Sequence, residues 1–515
     1  MQQPDITDLA SAFEPTLAKG DPWLTNDQGD VFSGQDIRER AARFALVLER
    51  HGLEAGDRLA VMVEKSVDAV ALYVAALKLG AIYLPLNPAY TDDEAIFILR
   101  DATPHTLITS GSRAETLTGL ATRTMLLGAN NDQEKVPDQA AQGTDLVAEA
   151  DAVRADEARG FWEALPSSID PDATAAILYT SGTTGRPKGA MLSHRNLLSN
   201  AHALARVWQF TKRDTLLHAL PIFHAHGLYV GLNLCLLTGA PLIFLPRFDA
   251  EEVARHLPAV TVYMGVPTHY GRLLSVPGLS PKTLSNMRLM ISGSAPLSPQ
   301  AHSACAQTFG HQILERYGMT ETVMIASNPR EGERRPGKVG FPLPGVEVRI
   351  AGSARIGEIE VRGPNVFSGY WNRPERQAED FTEDGFFRTG DLGQFDADGY
   401  LEIVGRAKEL IISGGQNIYP REVEDALREL TGIADAAVFA VPDADFGEAV
   451  AAAVILDETG APHPIEDLRD ALGQKLSRYK LPKYVEYLDT LPRNAMGKVQ
   501  KHALQASFQD QQSAS

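Results

Sequence analysis

The densest cluster of groups able to hold a phosphate lies at Tyr179, Thr180, Ser181, Gly182, Thr183, Thr184, Gly185, Arg186, Pro187, Lys188 and Gly189. Glycines let backbone N–H groups approach an anion closely, hydroxyls donate further hydrogen bonds, and the Lys188 ammonium is a compact charge that can follow a moving phosphate. The apolar run 175–178 leads into this stretch like a buried strand. No GxxxxGK[ST] register fits Gly182, Gly185, Lys188 or Gly189, so the stretch is not the usual P-loop. The competing reading is a polar surface turn.

Further along the chain, Ser292, Gly293, Ser294, Ala295 and Pro296 follow the apolar run 289–291, where a flat base could rest against backbone; the alternative is a plain strand-end turn. Glu321 is a hard oxygen ligand suited to a divalent cation, or else a surface acid. Asp391 can accept two vicinal hydroxyls at once, or sit in a β-turn. His224 and His226 are two apart, so on a strand they would share a face suited to a metal, although no third ligand is visible.

Taken together, Tyr179 to Gly189, Ser292 to Pro296, Glu315-Arg-Tyr-Gly-Met-Thr-Glu321, Arg388-Thr-Gly-Asp391 with Gly405-Arg406, and Pro492-Arg-Asn-Ala-Met-Gly-Lys498 resemble the adenylate-forming acyl-CoA synthetase and luciferase family over nearly the whole chain. The resemblance implies a role for each segment. Thr180 to Gly185 and Lys188 would cradle ATP phosphates, Tyr317 would stack on adenine, Thr320 would bond the α-phosphate, and Glu321 with Thr184 would hold Mg²⁺. Asp391 and Arg406 would hold the ribose and its nucleotide. Lys408 falls at the family's interdomain hinge, Lys498 is the mobile lysine of adenylation, and Gly414 and Gly415 face the thiol tunnel after domain rotation. Only seventeen residues follow Lys498, which favours free coenzyme A over a carrier as acceptor.

The acid is approached through departures from the common family pattern. Arg316 stands where a small or neutral residue is usual, Ser294 offers a hydroxyl, and Arg272 follows the segment 265–271 that lines the family's acyl pocket, with His224, Val266 and Met319 beside it. Arg272, Ser294 and Arg316 together could hold a second carboxylate, an arrangement that resembles the malonyl-CoA synthetases and extends to methylmalonate. The alternatives are arginines that are exposed or paired with acids such as Glu315, leaving a ligase for an uncharged short-chain, medium-chain or aromatic acid, or a nucleotide-binding regulator or hydrolase. No GxSxG elbow supports a hydrolase.

The elements that must position these residues follow from patterning. Ser33 caps an expected helix over 35–51, and strands over 58–63, 81–86 and 106–109 alternate with helices over 67–79 and 92–100, a βαβ pattern with a mostly parallel sheet. Residues 111–172 read as a peripheral, solvated excursion. A second α/β layer follows the phosphate stretch, with a helix over 196–210, and 337–404 reads as a small barrel-like β subdomain. The expected fold class is thus α/β: a large N-terminal adenylation domain (1–404) of two βα-layered subdomains plus the β-barrel-like one, and a smaller hinged α+β C-terminal domain (405–515). The tail from 505 onward reads as polar and disordered.

The 515 residues exceed what one core organises, and the net charge of −18 argues against nucleic-acid or anionic-membrane binding. Two cysteines, Cys235 and Cys305, form no disulfide framework, and residues 1–15 resemble neither a secretory signal nor a transit peptide, so a cytoplasmic location is expected.

Overall fold

A computed structural model of the chain describes residues 7–127, 144–180, 187–443, 446–458, 460–494 and 497–513. Among them two large sheets form the N-terminal domain. The first has seven strands and is parallel except at one edge, where Thr174–Thr180 and Lys188–Ser193 pair as an antiparallel hairpin. In the second, the strands Leu314–Tyr317, Leu289–Ser292, Val262–Gly265, Leu216–His218, Leu242–Phe244 and Pro22–Asn26 lie parallel in that spatial order.

The local signals explain why these elements form. Ser33 caps the helix Gly34–Arg50 in a full capping box with Asp36, which satisfies orphan N–H groups at both ends of the box. The helix Val67–Leu79 is capped by Ser66 and stopped by Gly80 in the left-handed conformation. Every residue from Ala69 to Leu77 is buried, as an all-round apolar helix requires, and it packs in a core shared by both large sheets.

Three expectations are corrected. The strands between 338 and 406 close no barrel: they extend the second sheet as an antiparallel arm, in the order Glu347–Ile350, Gly357–Arg362, Phe387–Phe395, Leu401–Arg406, Lys338–Pro342. The excursion 111–172 is partly organised, because Arg123–Leu126 and Thr144–Asp145 widen the first sheet and the helix Ala155–Ala164 buries Ala158 and Trp162. The tail is the helix Lys501–Ser513, held by Leu504 and Phe508, which are buried against Phe439, Ala451 and Leu491. Two apolar residues four apart sufficed to dock a stretch whose composition is otherwise polar.

The C-terminal domain is a five-stranded sheet built on the long hairpin Ile433–Asp443 and Gly447–Leu456. It follows Leu401–Arg406 through a 3₁₀ turn, Ala407–Glu409, that carries Lys408. No helix among the described residues is long and apolar enough to cross a membrane.

Candidate active site

Parallel strands expose their C-terminal ends along one edge, and clefts in open α/β sheets form there. Val266, Ser292 to Ala295 and Tyr317 all sit at such ends in the second sheet. Lys188 and Thr180 face each other across the last rung of the hairpin at the edge of the first sheet. Ser181, Gly182, Thr183, Thr184 and Gly185 lie outside the described residues.

Two groups of charges face this cleft. In the first, Glu321 is buried and accepts a hydrogen bond from the Tyr370 hydroxyl at 2.7 Å, while the Lys188 ammonium lies 5.1 Å from the centre of the Tyr370 ring. Burial raises the pKa of Glu321; burial and then the Arg376 charge lower that of Lys188. Asp391 is also buried, bonded by the Tyr317 hydroxyl at 2.5 Å and by Nε of Arg406 at 2.9 Å. Lys498 occupies the turn closed by the Arg493–Val499 bridge, and its pKa is lowered by burial and then by Arg406, with Glu409 and Asp391 opposing. Gly497, at φ +74°, packs on Thr268 so closely that a Cβ would come within 3.0 Å of its hydroxyl. The turn that carries Lys498 is therefore docked on the N-terminal domain at Thr268, with the charges of Arg406 and Asp391 acting on its ammonium. Thr320 lies between Met319 and Glu321, half-buried.

The second group is a buried cation. Arg316 is 4 % exposed, and Nε and Nη2, the two atoms of its bidentate edge, have no hydrogen-bond partner among the described residues. It fits because Gly293 has no side chain, since a Cβ there would lie 2.3 Å from the guanidinium carbon. Burial pushes the Arg316 pKa down to about 9. Near it, Nε2 of His226 is likewise buried without a partner among the described residues, and Nδ1 of His226 lies 3.4 Å from the Ser294 hydroxyl. The Ser292 hydroxyl, on the face that Ser292 shares with Glu315, is also buried without such a partner. His226 is held neutral by burial first and then by the Arg316 charge. Ser294 adopts φ +70°, a left-handed conformation costly for a residue with a Cβ. A buried, unpartnered cation costs several kcal/mol, and a carboxylate on its free edge would relieve that cost.

Some expected residues fall elsewhere. Arg272 is exposed: its helix, Pro267–Leu274, buries Tyr270 and Leu273, and position 272 points to the opposite face, which it shares with Thr268 at the cleft mouth. It does not join Arg316 on the pocket floor. Gly414 and Gly415, both at positive φ, form the exposed two-residue turn between Ile411–Ser413 and Gln416–Ile418, and a Cβ on Gly415 would meet nothing within 4 Å. Pro296 is exposed and Ala295 half-buried beside the strand end. His224 precedes the π-helix His226–Leu232, so the two histidines share no strand, and no group of three or more metal-ligating side chains occurs among the described residues. His224 and Met319 are half-buried, and burial lowers the His224 pKa to about 4.

Tyr370 and Arg376 escaped sequence reasoning because neither sits in a recognisable spacing. Trp371 donates its backbone N–H to the Gly189 carbonyl at 2.8 Å, the contact that brings Tyr370 over Lys188.

Comparison with known proteins agrees with this layout. The AMP-binding enzyme family matches residues 16–371, and the AMP-binding enzyme C-terminal domain matches residues 422–498. A malonate–CoA ligase of Arabidopsis thaliana is 34% identical over 498 residues, covering 90% of this chain and 80% of that protein. A long-chain-fatty-acid–CoA ligase of Bacillus subtilis is 33% identical, covering 97% and 93%. The crystal structure of ATP-bound MatB from Rhodopseudomonas palustris superposes with a TM-score of 0.88 at 42% identity, over 97% of this chain and 99% of that one. The chain belongs to the AMP-binding enzymes and is an AMP-forming acyl-CoA synthetase.

Proposed function

We propose that the acid is malonate, with methylmalonate as a further substrate, and that the enzyme joins it to coenzyme A at the expense of ATP. The unpartnered bidentate edge of Arg316 carries this reading. An uncharged acid would leave that cation as it stands, whereas the distal carboxylate of malonate would pair with it, beside His226 and the Ser294 hydroxyl. Val266, Met319 and His224 bound the rest of the acid. The likeness to a malonate–CoA ligase and to MatB supports the assignment.

The chemistry follows from charge neutralisation. The near carboxylate must approach an anionic triphosphate, so cations must first offset the repulsion. Lys188 would neutralise phosphate oxygens, and Lys498 would bridge the acid and the α-phosphate. One carboxylate oxygen then attacks the α-phosphorus, the α–β bridging bond breaks, and malonyl-AMP and pyrophosphate form. The coenzyme A thiolate next attacks the acyl carbon and AMP departs, leaving malonyl-CoA. Tyr317 and the strand-end segment 292–296 would hold adenine, Asp391 and Arg406 the ribose side, and Thr180 to Gly185 with Thr320 the phosphates.

A divalent cation fits these donors: Glu321 is a buried oxygen ligand already oriented by Tyr370, and a Mg²⁺ held by one carboxylate, a hydroxyl such as that of Thr184 and the nucleotide itself needs no dedicated protein cage. When bound, Mg²⁺ would neutralise phosphate charge.

We further assign residues 1–404 to adenylation and 405–515 to the mobile domain, with Gly414 and Gly415 turning toward the thiol in a second orientation. The buried, unpaired Cys235 and Cys305 suit a cytoplasmic setting.

The second reading, an uncharged acid, draws on the fatty-acid ligase among the relatives. Pyrophosphate release measured with malonate, methylmalonate, acetate, butyrate and benzoate separates the two. Malonate is expected to lead, and turnover of butyrate or benzoate without malonate would overturn the proposal.

A further inference from the structure

Lys65 stands just beyond the strand Arg58–Met62 of the first sheet, yet its ammonium reaches the strand ends of the second. It contacts Nδ1 of His218 at 2.8 Å and donates to the carbonyls of His218 at 2.8 Å and Leu245 at 2.6 Å. These three acceptors match the three N–H groups of an ammonium, and the Phe244 ring lies 4.1 Å below it. Burial opposes the charge, and no carboxylate among the described residues offsets that burial. A buried cation spent on two carbonyls and an imidazole is a costly device for joining two sheets.

The imidazole shows where that cost leads. With Nδ1 of His218 accepting from Lys65, Nε2 must carry the ring proton, and Nε2 lies 2.8 Å from the Gly227 carbonyl. Gly227 is in the first turn of the π-helix His226–Leu232, a geometry that is rare and concentrated at functional sites. The helix is pressed against this imidazole: a Cβ on Gly231 would come within 2.9 Å of the His218 ring, and a Cβ on Gly227 within 2.0 Å of the Pro221 carbonyl. His226 heads that helix and turns its ring toward Ser294.

We propose that Lys65 is a positioning residue for the acid pocket: by fixing His218 as an Nε2–H donor to Gly227, it holds the π-helix in the register that places His226 beside Arg316 and Ser294. This rests on the reading of that pocket as the acid site. The three N–H groups of Lys65 are spent on His218 and Leu245, so its removal would affect the acid through the helix.

Two readouts test the assignment in the full-length enzyme. In protein labelled with ¹⁵N-histidine, His218 is expected as the Nε2–H tautomer, and Lys65→Met is expected to mix the tautomers; a ring protonated at Nδ1 before substitution overturns the proposal. In steady-state kinetics with whichever acid the unsubstituted enzyme uses best, Lys65→Met should raise KM for the acid roughly tenfold to hundredfold, with KM for ATP within about twofold, and Lys65→Arg should recover part of the loss. Equal losses toward acid and ATP would show a general structural role and overturn it. Should Lys65→Met not fold, His218→Gln, which keeps an N–H for Gly227, should hold a lower KM for the acid than His218→Leu; equal values refute the relay. A preference for a monocarboxylic acid would defeat the malonate assignment while leaving the tautomer and the KM split to decide on Lys65.

Discussion

Replacing Arg316 by Met removes the buried charge while keeping most of its volume. The guanidinium edge bonds to nothing among the described residues, so the substitution takes away a desolvation cost and no hydrogen bond of Nε or Nη2 to them. The melting temperature of Arg316→Met should therefore equal or exceed that of the unsubstituted protein. With malonate bound the balance reverses. An ion pair at about 4 Å in an effective dielectric of about 20 is worth roughly 4 kcal/mol, which corresponds to about 10³ in kcat/KM. The expected loss toward malonate is roughly 10² to 10³, with KM for ATP little changed, because Arg316 lies on the Gly293 side of its strand and the nucleotide residues Asp391 and Glu321 pair with Tyr317, Arg406 and Tyr370 instead. Pyrophosphate release over a malonate titration, with a thermal melt of the same samples, gives both numbers. A lowered melting temperature together with equal losses for malonate and ATP would refute the reasoning, because it would mean that Arg316 is a structural cation with a partner.

Other perturbations follow from the same contacts. Tyr370→Phe deletes the 2.7 Å bond to Glu321 and should raise the Mg²⁺ concentration needed for half-maximal rate by roughly tenfold, read from rate against free Mg²⁺. Phe508→Ala should cost up to about 3 kcal/mol of C-terminal domain stability, since the ring packs 5.4 Å from that of Tyr484; a denaturant series with no change in midpoint would mean the terminal helix does not dock. Glu315 is buried with its pKa raised to about 7, above its unfolded value, so the protonated form favours folding: its contribution is fully present below the unfolded pKa and lost as pH rises through 7. Glu315→Gln, which still accepts from the Gly337 N–H, should raise the melting temperature at pH 8 but not at pH 4.

Much of the site was legible because chemistry concentrates in short strings at strand ends. Glu321, Tyr317 and Asp391 stand in such strings, and the structure brings Tyr317 and Asp391 into one hydrogen bond although 74 positions separate them. A capping residue placed a helix well, as Ser33 did, because a cap is a local contact. What escaped depends on contacts made across the fold. Arg272 and Arg316 look alike in the sequence, and only helix phase sends one to solvent while a glycine opposite makes room for the other. The strand-rich texture of 337–404 was legible, but its ladder joins the large sheet rather than itself, which no strand records alone. The terminal helix was hidden by polar composition, and Lys65 by being a lone lysine whose meaning lies in His218, 153 positions away.

The central claim is that a buried guanidinium selects an acid carrying two negative charges. Its most direct measurement is the ratio of kcat/KM for malonate to that for butyrate, at saturating ATP, Mg²⁺ and coenzyme A, in the unsubstituted enzyme. The pairing energy of Arg316 predicts a ratio of about 10² or more. A ratio near one, or one that favours butyrate, would contradict the claim.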